Sequence, residues 1–227
     1  MKIFFRILLV IAIAAMSYLC VMSIVTPIEF EKTQTFREKA IISHLIQIRK
    51  AQVEYKNQFD HFTASGDTLI DFIKNGQVPV VLKEGTLTDE QLKNGLTEEK
   101  AMKIINKGNK KEIEANGLVG FRRDTSYVSV YESLFADEFP KEEIENIMTV
   151  PYSNGKKFEM ETANYTNATS GITVSIFEAR APYDFYLSDL NRQELINLKD
   201  KSEKLGKYSG LKVGSIEEPN NNAGNWE

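Results

Sequence analysis

Apolar residues run without interruption from Ile7 to Val25, ILLVIAIAAMSYLCVMSIV, with no charge and nothing more polar than Ser and Tyr. At 1.5 Å per residue, about 19 helical residues nearly match a hydrocarbon core of about 30 Å, so the run predicts a membrane-spanning helix. Pro27 removes a backbone donor and disfavours helix in the residue before it, which predicts a kink or short break. Helical pattern resumes by Thr35. Ile41, Leu45, Ile48, Tyr55, Phe59 and Phe62 then recur at a 3-4 spacing, with Gln52 the one polar position in the stripe. Ile42, Ile46 and Val53 widen that stripe. A face this broad predicts packing against the rest of the protein rather than a narrow two-stranded coiled coil.

Beyond the stalk the pattern shortens. Thr63 to Asp67 breaks the helix, Asp67 is placed to cap a second one over Thr68 to Lys74, and Asn75-Gly76 stops it. Val78 to Leu82 reads as a strand, with Pro79 arguing for an edge position. Thr88-Asp89-Glu90-Gln91 has the form of a capping box, and Thr97-Glu98-Glu99-Lys100 also reads as a helix start. From Leu118 the period changes to two, through Val119, Phe121, Tyr127, Val128 and Val130. A short helix is expected over Lys141 to Asn146, entered through Pro140.

Asn154-Gly155 is a strong hairpin signal. A three-residue loop with Gly155 bulged pairs Val150 with Phe158 and Met148 with Met160, which keeps an apolar row together. Gly171 to Ala179 alternates cleanly, with Ile172, Val174 and Ile176 on one face. Asn191 starts a last helix that Gly206 stops, and Tyr208 to Ser215 reads as a final strand.

These elements define an α+β protein: a transmembrane helix continuing into an amphipathic one, a helical connector, then an antiparallel sheet of about four strands with a C-terminal helix. The expected divisions are 1–27 for the anchor, 28–62 for the stalk, 63–117 for the connector, 118–218 for the sheet head and 219–227 for a loose tail, in which Trp226 is the candidate docking residue.

Charge orients the chain. Lys2 and Arg6 precede the apolar run, while Thr26 to Ala40 carries three cations and three anions. That balance predicts the N-terminus in the cytoplasm and the head outside it, on the periplasmic side of an inner membrane. A cleavable signal peptide is the competing reading, with Val21 and Ser23 as small residues before a cut. Setting Lys2 and Arg6 aside leaves 26 cations against 32 anions, interspersed, so no basic face for nucleic acid is expected. The single cysteine, Cys20, lies in the apolar run, so the head holds no disulfide.

Around the end of the stalk the chain reads LIQIRKAQVEYKNQFDHFT, Leu45 to Thr63. This segment resembles the place in type IV pilins and type II secretion pseudopilins where the long helix, spaced Ile-x-x-Ala-x-x-x-Tyr, gives way to a loop. The resemblance implies a packed stalk beneath an antiparallel sheet and an assembly role. The leader Gly of that family has no counterpart before Phe4 or Phe5, and no acid lies between Ile7 and Val25. Neither leader cleavage nor assembly guided by a Glu is therefore carried over.

Candidate chemistry is sparse. His44 and His61 stand 17 positions apart, about 25 Å along a helix, too far to share a metal within it. No Gly-x-Ser-x-Gly elbow and no Gly-rich phosphate loop occurs. Glu159 and Glu161 share a strand face, the arrangement a glycosidase pair would need, though exposed strand carboxylates commonly face water. Arg122-Arg123-Asp124 is the one local cationic concentration in the head and a candidate contact for a carboxylate or phosphate. Tyr183, Phe185 and Tyr186 either line a groove or pack the sheet edge.

The resulting expectation is a non-enzymatic, cofactor-free membrane protein with a structural or assembly role in a bacterial envelope. Its partners would be the lipid bilayer and proteins or further copies meeting the stalk. The alternative is a membrane-tethered or secreted ligand-binding or sensory module.

Overall fold

The computed structural model describes residues 2–227. Its architecture is α+β, and one helix runs through it: α1, Lys2–Phe59, 58 residues and about 87 Å long. The break expected at Pro27 does not occur, because the helix continues through it. A proline costs one hydrogen bond and crowds the carbonyl four residues before it, but many propagated bonds on both sides hold the helix together. α1 ends where Asp60 turns left-handed at φ 61° and donates its N–H to Lys56 O at 2.8 Å.

The two halves of α1 live in different surroundings. Residues 3–24 are all exposed and pack on nothing else in the chain. From Phe30 onward the helix enters the core, with Phe30, Ile41, Leu45, Ile48 and Ala51 buried. Against it pack α2, Gly66–Asn75, capped by Ser65 rather than Asp67, and the three-stranded sheet β3-β4-β5.

The first strand, β1, Gln77–Glu84, follows directly on α2 and carries the chain outward. After it come three short helices, α3 (Asp89–Lys93), α4 (Glu98–Asn106) and α5 (Lys110–Ala115), capped by Thr88, Thr97 and Asn109. Thr88 and Gln91 complete the expected capping box. The chain returns through β2, Arg122–Ser129, which pairs antiparallel with β1. The pair is a ribbon separate from the main sheet. At its far end Ala101, Leu118 and Phe121 form a small apolar cluster of their own, packed by Leu96, Ile105 and Ile113. An expected boundary at 117/118 therefore falls between paired strands: the connector supplies half of the ribbon.

After β2 a turn of helix, α6, Val130–Leu134, and a 3-10 helix, Lys141–Asn146, bring the chain back under α2. The expected bulged hairpin is not formed. Thr149 bridges Lys157, Val150 N–H donates to Lys156 O and Phe158 N–H to Met148 O, so the loop spans Pro151 to Gly155. Pro151 has no N–H to extend the ladder. The buried Ser153 hydroxyl fills the loop instead, 2.6 Å from Val150 O and 3.2 Å from Lys156 O.

The long hairpin lies further on. β3, Glu159–Thr166, pairs with β4, Thr173–Pro182, through a turn in which Asn167 Oδ1 accepts from the N–H groups of Thr169 and Ser170. The central strand β4 turns Phe177, Ala179 and Ala181 toward α1, the opposite face from Val174 and Ile176, while Ile172 precedes the strand and is exposed. A turn of helix, α7, Tyr183–Tyr186, then α8, Arg192–Lys204, capped by Asn191, lead into β5, Gly210–Gly214, on the other side of β4.

The C-terminal residues are not loose. Gly224 bridges Val213, and the Asn225 side chain donates to Gly210 O at 2.9 Å and accepts from Lys212 N. Trp226 packs on the main core. The segment behaves as a short extra strip along β5, which the Asn-rich composition conceals.

Candidate functional site at the helix and head junction

The six stalk residues singled out by the apolar stripe meet the chain's own head. Ile41, Leu45 and Ile48 are fully enclosed, and Phe62 lies 4.7 Å from the Phe177 ring. Tyr55 is half-buried, edge-on to Phe72 at 5.2 Å, and Phe59 stacks on Tyr55 at 4.5 Å while remaining 48% exposed. This face of the stalk is therefore covered by the chain's own head.

Polar side chains on the flanks of the stripe fix α1 in register with the head. Arg37 Nη1 and Nη2 donate to the two Asp189 carboxylate oxygens at 2.6 and 2.7 Å, and Nη1 also donates to Tyr186 O at 2.5 Å. Its hydrogen bond from the guanidinium holds the Asp189 carboxyl below the usual range. One residue on, Glu38 accepts from Gln34 Nε2 at 2.8 Å and from the Tyr186 hydroxyl at 3.3 Å. Burial pushes the Glu38 carboxyl up, and burial likewise pushes the Tyr186 phenol up. About three turns further, Lys50 Nζ and Gln47 Nε2 both donate to Glu138 Oε2, at 2.5 and 3.0 Å. Arg49 reaches the C-terminal residue Glu227 at 2.7 Å.

Arg123, a candidate anion contact, is engaged within the chain. Its guanidinium stacks 3.9 Å from the Phe121 ring centroid, donates to Glu84 O and Gly85 O, and pairs with Glu98 at 3.1 Å. The result is a clasp between the ribbon and α4. Arg122 is exposed opposite Glu84 in the ribbon register.

The histidines are apart, as their spacing implies. His44 Nδ1 lies 3.3 Å from Ile147 O, with its ring edge-on to Phe139 at 5.5 Å, and burial lowers its pKa. His61 is exposed, its Nδ1 2.7 Å from Phe59 O. Among the described residues, no group of three or more His, Cys, Asp or Glu is arranged to hold a metal ion.

Glu159 and Glu161 share an outer sheet face, but Arg180 stands between them and binds both, Glu159 at 2.8 Å. Glu178, 6% exposed, joins Arg180 at 3.3 Å and Lys212 at 2.8 Å. This is a cross-strand ion network over β3, β4 and β5, with a guanidinium where a glycosidase pair would need to admit a sugar. Tyr186 is core and Tyr183 packs on it; Phe185 is half-buried under Lys156 at 4.6 Å. These aromatics fill the edge rather than line a groove. An open groove lies elsewhere, between α1 and α8, lined by Pro27, Phe30, Gln34, Glu194, Leu198 and Lys201.

Arg37 and Asp189 carry no local sequence signal, because their pairing joins positions 152 residues apart. Compared with known proteins, the chain matches no family model, no curated protein and no solved structure. Among the described residues, α1 is the one helix long and apolar enough to cross a membrane.

Proposed function

We propose that this chain is a single-pass membrane protein carrying an extracytoplasmic head, with a structural or assembly role in a bacterial envelope and no catalytic activity. The observation that carries the reading is the continuity of α1: one helix supplies both the exposed apolar segment, residues 3–24, and the buried spine of the head. A membrane segment joined to a folded head without a flexible linker fixes the head's position relative to the bilayer. A rigid helical connection of this kind holds the head at a fixed distance and orientation, as a structural or assembling subunit requires, where a flexible linker would let it wander. Lys2 and Arg6 before the span support a cytoplasmic N-terminus and an inner-membrane location. The architecture of a half-exposed, half-packed helix beside an antiparallel sheet supports the pilin-like version of the role.

The test is the intact mass of the protein recovered from carbonate-washed membranes and from the soluble extract of its native host. Full-length mass in the membrane fraction supports the anchor. Loss of about 23 residues with a soluble product would overturn it and favour a secreted binding module. The second reading, a membrane-tethered ligand-binding or sensory module, rests on the open groove between α1 and α8. It expects a thermal shift with a small ligand.

A further inference from the structure

Resting on the anchor reading above, we propose that the α1-facing flank of α8 and the turn after it dock on the anionic phospholipid headgroups of the bilayer that holds α1. The level of the head is set by α1 itself. Residues 3–24 are exposed, Val25 to Pro27 are half-buried and Phe30 is buried, so the head's lower surface begins where the apolar run ends. The element at that level is α8. Its Glu194, Asn197, Leu198 and Lys201 face Pro27, Phe30 and Glu31 across the groove.

On a helix of 100° per residue, Asn197, Lys201, Lys204 and Leu205 fall on this same flank, Asp200 adjoins Lys204 at its margin, and Glu203 points away from it. Lys201, Lys204 and Leu205 line one adjoining surface with Asn197 and a single acid, Asp200, and Lys207 follows beyond the Gly206 turn. Leu205 is 60% exposed. No ion pair engages the three lysines among the described residues, whereas Lys199, nearer the core, is paired with Asp184. Glu194 lies at the other end of the helix. An otherwise acidic head thus presents three unpaired ammonium groups against one carboxylate, Asp200, around an apolar tip, next to the membrane exit of its own anchor. Long lysine stems beside a leucine fit a headgroup layer, where the charge meets phosphate and the apolar part sinks below it.

The experiment uses the full chain in nanodiscs of phosphatidylcholine alone or mixed with phosphatidylglycerol. A fluorophore on N197C, in a C20S background, is read against a headgroup nitroxide lipid. The same fluorophore on native Cys20 is read against an acyl-chain nitroxide. Docking predicts quenching at position 197 that appears with the anionic lipid and falls when ionic strength is raised. It also falls in the variant K201E/K204E/K207E. Each juxtamembrane lysine is worth roughly a fivefold change in equilibrium, so losing three shifts the docked-to-free ratio by on the order of 100-fold, and the triple reversal, which adds repulsion, by at least that. Quenching at Cys20 without quenching at 197 overturns the docking and leaves the anchor standing. Quenching at 197 that ignores lipid charge, salt and the variant also overturns it. An unquenched Cys20 overturns the anchor and the docking together.

Discussion

Gln52 and Thr63 are joined by two hydrogen bonds: Gln52 Nε2 donates to Thr63 O at 2.5 Å, and Gln52 Oε1 accepts from Thr63 N at 3.1 Å. The amide is fully buried and acts as a substitute strand edge, giving the chain leaving α1 both partners it needs. The one polar position in the stalk stripe is thus the residue that steers the chain back from the helix to the head.

Gln52→Leu keeps the volume and removes both partners. Two buried backbone groups left unpaired cost about 2–4 kcal/mol together. Urea unfolding followed by the fluorescence of Trp226, the single tryptophan, should show that loss. A change well under 1 kcal/mol would mean that water replaces the amide.

Along the same stripe, burial ranks the residues. Leu45→Ala opens a cavity at a fully enclosed site and is expected to cost about 2–5 kcal/mol. Phe59→Ala, at the half-exposed helix end, is expected to cost about 1 kcal/mol. Equal losses at both sites would mean that Phe59 is covered by another molecule, which size measurement of the detergent-solubilised protein would then reveal.

Two neighbouring contacts titrate in opposite senses. The Glu38 carboxyl is pushed up by burial, so its protonation favours the folded head: that contribution is present at low pH and is lost as pH rises through the raised value. The Asp189 carboxyl is held down by Arg37, so its contribution is present above the ordinary Asp range and is lost as pH falls through the lowered value. Measured against Glu38→Gln, the native melting temperature is therefore expected to gain on mild acidification, with His44, whose pKa burial lowers, opposing that gain in both proteins. Measured against Asp189→Asn, it is expected to fall as pH drops below the ordinary Asp range. Glu38→Gln should flatten the first limb and Asp189→Asn the second.

Arg123 holds the helical cap to the ribbon, and the cap has its own apolar cluster. Arg123→Ala should raise amide exchange over residues 86–121 while leaving α1, α2 and β4 protected. Loss of protection throughout would show that the cap and the main core unfold as one unit.

Much of this fold is local in origin and could be read from the chain. The exposed apolar run, the stripe from Ile41 to Phe62, the Thr88 capping box and the Asn191 start of α8 all follow from periodicity and capping within a few residues. Where the reading failed, a distant partner decided the outcome. Pro27 gave no break because the packed turns beyond Phe30 hold the helix. β4 alternates as read, but which face is covered was not legible: α1 packs on the side carrying Phe177, Ala179 and Ala181. The 148–158 turn widened around Ser153, and the Asn-rich end was secured by Val213, Lys212 and Arg49. In the junction, the apolar half was visible as a stripe, but the pairing of Arg37 with Asp189 depends on topology alone.

A helix that is at once anchor and spine also fixes how the protein responds to load. A pull along α1 is not delivered to one end of the head, where contacts would open one after another. It is spread in shear over everything that grips the helix between Phe30 and Phe59, all of which must slip together.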